Sequence, residues 1–144
     1  MSEERATKNE APDSPPARVF VYGTLRKGGS NNFRMDGCKW IGPAAVNGHL
    51  YEIDWYPGLV LDENGAKVVG DLYEVPAEKI DALDEFEGPE YRRLRTMVQN
   101  AEDEAESAWI WEWSRPTQGL QAVPGGDWLL VDPGVTLDKI NDED

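Results

Sequence analysis

One segment of this chain reads plainly as helix, and it is short. Pro76 is followed by Ala, Glu, Lys, Ile, Ala and Leu, and the pattern runs out at Gly88-Pro89. Proline suits the first turn of a helix, where its missing amide would have no partner, and Gly-Pro ends one. The other patterned stretches are β-rich. A chain with one firm helix among several strands has to bury its sheet largely against itself. The expectation is therefore an α+β domain with a curled or barrel-like sheet.

The strands can be placed approximately. Residues 18–22, Arg-Val-Phe-Val-Tyr, form a β-rich run that stops at Gly23 and enters a loop rich in glycine and polar residues, 23–32. Residues 39–53 read as one or two strands, with a break expected at Asn47-Gly48, a dipeptide that favours tight hairpin turns. Residues 68–75, 92–99 and 107–114 complete the set, the last two separated by an acidic turn at 101–106. Residues 1–17 are polar with three prolines and read as a disordered lead-in, and 138–144 as an acidic tail. One folded domain, 18–137, lies between them.

Composition removes several function classes. With 28 acidic against 14 basic residues the net charge is −14, which argues against nucleic acid or an anionic membrane as partner. One cysteine, Cys38, rules out an internal disulfide, and one histidine leaves too few N or S ligands for a structural zinc site. Neither a signal-like apolar run nor a stretch of about 20 apolar residues occurs. The chain thus reads as soluble and cytoplasmic, with no metal or cofactor expected. A single histidine, His49, also makes a Ser/His/Asp or Cys/His set hard to build, and His49 itself reads as a turn-adjacent surface or packing residue.

The helix carries the most pointed chemical signal. At about 100° per residue, Ile80 and Leu83 define an apolar face, and Glu87, seven and four residues later, projects between them. Glu85 points to nearly the opposite side. Desolvation on that face and the carbonyls of the last helical turn both favour a protonated Glu87, which suits a group that takes and returns a proton near neutrality. The bland alternative is a frayed helix end, with Glu87 in water or paired with Arg92, Arg93 or Arg95.

The loop after the first strand is the second signal. A strand ending in Tyr-Gly exposes successive backbone amides, and glycine lets a ligand approach the main chain. Gly23-Thr-Leu-Arg-Lys-Gly28-Gly29-Ser30 nearly matches a phosphate-binding loop, but Gly29 stands where that loop needs its lysine. Nucleotide binding is set aside on that ground. A plain glycine-rich turn remains the alternative.

Taken together, the motifs resemble those of the γ-glutamylcyclotransferase-like family, its γ-glutamylaminecyclotransferase branch in particular. Phe20-Val-Tyr-Gly-Thr-Leu-Arg-Lys-Gly28 is similar to the family's N-terminal signature, and Leu83-Asp-Glu-Phe-Glu-Gly88 with Tyr91-Arg-Arg93 to its catalytic segment. Tyr56-Pro-Gly-Leu59, Val69-Gly-Asp-Leu-Tyr-Glu-Val75, 109–113 and Gly126-Asp-Trp128 resemble the remainder, so the likeness covers 18–130.

The resemblance implies a small mixed β-barrel with flanking helices. It also implies release of an amine from a γ-glutamyl amide as the glutamyl part cyclises to 5-oxoproline. Glu87 falls on the family's catalytic acid–base position. Backbone amides of Tyr22, Gly23, Thr24 and Leu25 would hold the glutamyl oxygens, with Tyr91 at the pocket wall. Arg93 is either a site residue or a structural partner for a carboxylate. Trp111 stands where relatives tend to carry tyrosine and reads as packing. The alternatives are a non-catalytic small-metabolite binding module on the same fold, a biosynthetic enzyme removing a γ-glutamyl protecting group, and an interaction protein working through its acidic tails.

Overall fold

Three consecutive residues near the N-terminus, Val19, Phe20 and Val21, are each no more than 3% exposed, so their strand is covered on both faces. Such burial demands a continuous apolar run rather than alternation, and Val-Phe-Val supplies it. The computed structural model describes residues 16–132. The tails expected at 1–17 and 138–144 lie outside these residues, except that Ala17 already opens the first strand.

Seven strands and one α-helix are described: β1 (Ala17–Val21), β2 (Lys39–Glu52), β3 (Pro57–Leu61), β4 (Ala66–Val75), α1 (Ala77–Glu87), β5 (Tyr91–Gln99), β6 (Ala105–Trp113) and β7 (Gln121–Ala122). Three single 3-10 turns, at Asn32–Met35, Pro124–Gly126 and Trp128–Leu130, add short helical pieces. The pairing runs β2 to β4, β4 to β1, β1 to β6 and β6 to β5, and Ala45 opposite Gln99 brings β5 back to β2. The result is a five-stranded barrel, as expected. Only the β1–β6 pairing is parallel among the described strands.

Side-chain alternation sorts the core into two parts. Phe20, Val46, Leu50, Leu72, Val98 and Ile110 fill the barrel interior with Trp128. Val19, Val21, Tyr73, Val75 and Trp111 point outward from the same strands, and α1 covers them with Ile80 and Leu83. Full burial of each of those two helix side chains is worth about 1.5–3 kcal/mol, enough to dock a helix this short. Pro76 precedes the helix, and Gly88, at φ 85°, ends it by donating its amide to the Asp84 carbonyl.

The expected turn at Asn47-Gly48 does not occur. β2 continues unbroken through both residues. Gly48 is instead the residue where the pairing of β2 passes from β4 to β3, lying opposite both Ala66 and Leu61. A side chain there would meet the Val60 carbonyl oxygen at 2.5 Å. Close backbone approach explains the glycine. His49 consequently lies mid-strand, exposed, with Nε2 2.8 Å from Asp62 Oδ2.

The loop leaving β1 is anchored from below. Arg26, almost fully buried, donates Nε to Asp71 Oδ2 on β4 at 3.0 Å and Nη1 to Asp127 Oδ1 at 2.8 Å. Asp71 also accepts from the Lys27 amide and from Trp40 Nε1, both at 3.1 Å. A buried pair adds little over an apolar substitute, but removing one member strands the other. Arg26→Met should therefore lower unfolding free energy by about 3 kcal/mol, seen as a lower urea midpoint at unchanged slope. A loss within experimental error would mean the pair does not hold the loop.

Candidate active site

Tyr22 ends the apolar run of β1, and the chain must turn there because Gly23 lies against Pro57. A side chain at Gly23 would stand 2.7 Å from Pro57 Cγ. The turn is then fixed by its own carbonyls. That of Gly23 accepts from the Arg26 amide at 3.0 Å, that of Thr24 from the Asn31 amide at 2.8 Å, and that of Leu25 from Asn32 Nδ2 at 2.9 Å. The amides of Gly23, Thr24 and Leu25 find no acceptor among the described residues. A rigid loop with occupied carbonyls and available amides is a site for an oxygen or an anion.

This loop forms one wall of a cavity of about 210 Å³. At roughly 30 Å³ per water, that is space for about seven waters, or a small organic group. Tyr22, Gly23, Thr24, Leu25, Glu87 and Tyr91 all line it, so residues from two widely separated segments of sequence meet there. The end of α1 supplies Glu87 and Phe86, the start of β5 supplies Tyr91, and β6 supplies Trp111. Sequence reasoning did not point to Trp55, Phe86 or Glu90, which complete the wall and rim.

Glu87 has the most perturbed carboxyl of the cavity. Burial raises its pKa first and the neighbouring Asp84 carboxylate second, to about 8. None of the three arginines considered as partners is engaged with it. Arg92 pairs with Glu112 at 2.9 Å, Arg95 lies over the Trp109 ring, and Arg93 holds Asp84 through two bonds of 2.8 and 3.1 Å. Arg93 is thus the structural partner of a carboxylate, one of its two expected roles.

Trp111 departs from the expectation of a simple packing residue. It is buried and packs under α1, but its Nε1 also donates to Asp84 Oδ1 at 2.8 Å. Two donors, from β5 and β6, therefore fix the acid that lies one helical turn before Glu87.

Both tyrosines are held by their hydroxyls. Tyr22 donates to the Trp111 carbonyl at 2.6 Å and accepts from the Leu59 amide at 3.3 Å, tying three strands together. Tyr91 donates to the Pro57 carbonyl and sets its ring edge-on to Trp113. Burial is the first cause that raises both phenol pKa values above the usual, and negative neighbours, Glu87 among them, add to it. Both remain neutral walls at any physiological pH.

A small closed barrel thus carries one desolvated carboxylate and a loop of available amides on a single cavity. The comparisons narrow the class. The profile of the family described as γ-glutamyl cyclotransferase, AIG2-like, matches residues 19–130. The γ-glutamylcyclotransferase family protein YtfP of Escherichia coli is 34% identical over 115 residues, 78% of this chain and 96% of that protein. The crystal structure of an uncharacterized protein from Pyrococcus horikoshii superposes with a TM-score of 0.63 at 28% identity, covering 88% of this chain and 94% of the other. An AIG2-like protein of mouse shares the fold, with a TM-score of 0.66 at 24% identity over 76% of this chain and 87% of its own. The chain belongs to the γ-glutamyl cyclotransferase, AIG2-like family. No helix among the described residues is long and apolar enough to cross a membrane.

The raised pKa of Glu87 has a sign that can be checked by stability. A native pKa above the usual carboxylate value means the folded state holds a proton that the unfolded state has lost. Stability from this group is fully present below about pH 4.5 and falls as pH rises toward about 8. Glu87→Gln, which cannot ionise, should equal wild type near pH 5 and exceed it at pH 8 by on the order of 3 kcal/mol. Urea unfolding of both proteins across that range tests it, and parallel curves would show that Glu87 is solvated.

Proposed function

We propose that this chain releases an amine from a γ-glutamyl amide as the glutamyl part closes to 5-oxoproline, with Glu87 moving the protons. The observation that carries the reading is the pairing of one desolvated carboxylate with the available amides of Gly23, Thr24 and Leu25 across a cavity of this size. Family membership and the names of the relatives support the reaction class.

The substrate's own α-amine is the nucleophile, so the protein has to fold the glutamyl chain and shuttle protons. The loop amides hold the glutamyl oxygens, including the oxyanion that forms on the γ-carbonyl. Placing the amine against that carbonyl can supply roughly 7–11 kcal/mol of the barrier in favourable intramolecular cases.

Glu87 in its ionised form takes a proton from the α-ammonium, and the freed amine attacks. One C–N bond forms and the amide C–N bond breaks. The ring nitrogen sheds two protons in all and the departing amine gains two, so Glu87 returns to its starting state. Proton transfer by a positioned group contributes about 10²–10⁴ in rate. The fixed donors of the loop offset the repulsion between the substrate carboxylate and an acidic protein.

Purified wild type incubated with γ-glutamyl amides should yield 5-oxoproline by mass spectrometry, and Glu87→Gln should lower kcat by about 10²–10⁴ while remaining folded. Full activity in the variant would remove Glu87 from the mechanism. No turnover of any amide by wild type would leave the fold serving binding alone. Because the ionised form starts the reaction, kcat/KM should rise with pH, reach half its maximum near pH 8 and level off above that, as the desolvated carboxyl ionises. A flat profile from pH 6 to 9 would contradict the assignment.

A further inference from the structure

α1 borders two different spaces. On one side its end presents Glu87 to the cavity. On the other side lies an open groove whose lining includes Asp81, Asp84, Glu85, Arg93 and Trp109. Tyr91 and Trp111 line both spaces, so a wall of two aromatic side chains stands between them. Three carboxylates share the groove with one cation, Arg93, among the residues that line it.

Arg93 is held firmly in that groove. Its guanidinium lies 4.4 Å from the centre of the Trp109 ring and donates Nε and Nη2 to Asp84, at 2.8 and 3.1 Å. Asp84 Oδ1 takes a further bond from Trp111 Nε1 at 2.8 Å, so three donors fix this carboxylate. Asp84 comes one helical turn before Glu87, and its charge acts against ionisation of Glu87. Once paired with a cation on the groove side, that charge acts through the aromatic wall as a dipole, which is weaker at a distance than a bare charge.

No other group around Glu87 takes this part. The phenols of Tyr22, Tyr56 and Tyr91 share the cavity, and burial raises all three, so they stay neutral. Glu90, exposed at the cavity, and Asp81 and Glu85, in the groove, carry the same sign as Asp84. Arg92 pairs with Glu112 on β6, and Arg34, 4.1 Å from the Phe86 ring, lines neither space.

We propose that Arg93, with Trp111, is a positioning residue that sets the pH at which Glu87 works, by holding and neutralising the Asp84 charge behind the cavity wall. This rests on the reading above of Glu87 as the group that moves protons, and adds how that group is controlled. The two partners act with opposite signs. Without the Arg93 cation, the bare Asp84 charge disfavours ionised Glu87 further. Without the Asp84 charge, Glu87 ionises more readily.

The test measures kcat/KM against pH for γ-glutamyl amide turnover by wild type, Arg93→Gln, Asp84→Asn and the double variant, with circular dichroism on each. The half-maximum should move up by roughly 0.5–1 pH unit in Arg93→Gln and down by a similar amount in Asp84→Asn, and return close to wild type in the double variant. Arg93→Lys keeps the cation and should keep the wild-type half-maximum, even where the lost second bond lowers kcat. A merely structural role would lower kcat in Arg93→Gln without moving the half-maximum, and that result would overturn the proposal. So would a half-maximum unmoved or raised in Asp84→Asn, a nearly isosteric change that decides the matter alone if Arg93→Gln does not fold. If wild type turns over no amide, the reaction reading falls by itself, and urea unfolding still reports on Glu87. The stability gap between each protein and the same protein carrying Glu87→Gln should then stop growing at a higher pH in Arg93→Gln than in wild type, and at a lower pH in Asp84→Asn. Gaps that level off at one pH in all three would overturn the control of Glu87 by Arg93.

Discussion

The guanidinium of Arg26 is the point from which the candidate site is built. It sits almost fully buried between Asp71 on β4 and Asp127 beyond β7, in a protein where acidic residues outnumber basic ones two to one. Desolvating one cation and one anion is costly unless their remaining hydrogen-bonding capacity is used. Here Asp71 also satisfies the Lys27 amide and the Trp40 indole, so the cluster has little left unpaired. The chain that leaves β1 is thereby fixed at its far end, and its near end is fixed by Pro57 against Gly23. Between those anchors the amides of Gly23, Thr24 and Leu25 take a set position.

Opposite that loop the structure does the reverse with charge. Glu87 is placed where its ionised form is least favoured, next to Asp84, while Arg93 and Trp111 are used up on Asp84 instead. The arrangement keeps an acid close to the pH at which it both takes and gives protons. It works because Asp84 and Glu87 lie three residues apart on one helix, so packing α1 by Ile80 and Leu83 positions both at once. A fold in which the helix merely covered the barrel would need neither the bidentate Arg93 contact nor the tryptophan N–H.

Local sequence signals proved informative where local physics decides the outcome. The 3.6-residue spacing of Ile80, Leu83 and Glu87 placed a carboxylate on the packed face, and the Val-Phe-Val run ending in Tyr-Gly marked a buried strand and its exit. Asn47-Gly48 misled because turn preference belongs to an isolated dipeptide, whereas Gly48 is there to let β3 approach β2 closely. The bond from Trp111 to Asp84 spans 27 residues and that from Arg26 to Asp71 spans 45. No periodicity encodes such separations, which depend on the barrel closing. The rim residues Trp55 and Glu90 lie in short loops, where only the folded chain reveals what they face.

The one parallel pairing among the described strands, between β1 and β6, sets an order on events during synthesis. β1 is made before either of its partners, and Val19 lies opposite Trp109, which is made long after it. The antiparallel pairs β2–β3, β2–β4 and β5–β6 have nearer partners and lower loop-closure cost. β1 gains its complete β4 neighbour only after residue 75 and its complete β6 neighbour only after residue 113. The wall that joins Tyr22 to Trp111 therefore cannot exist until β6 has been made. A nascent or truncated chain lacking β6 has a partial sheet but no enclosed chamber, because β6 is the strand that joins β1 to β5.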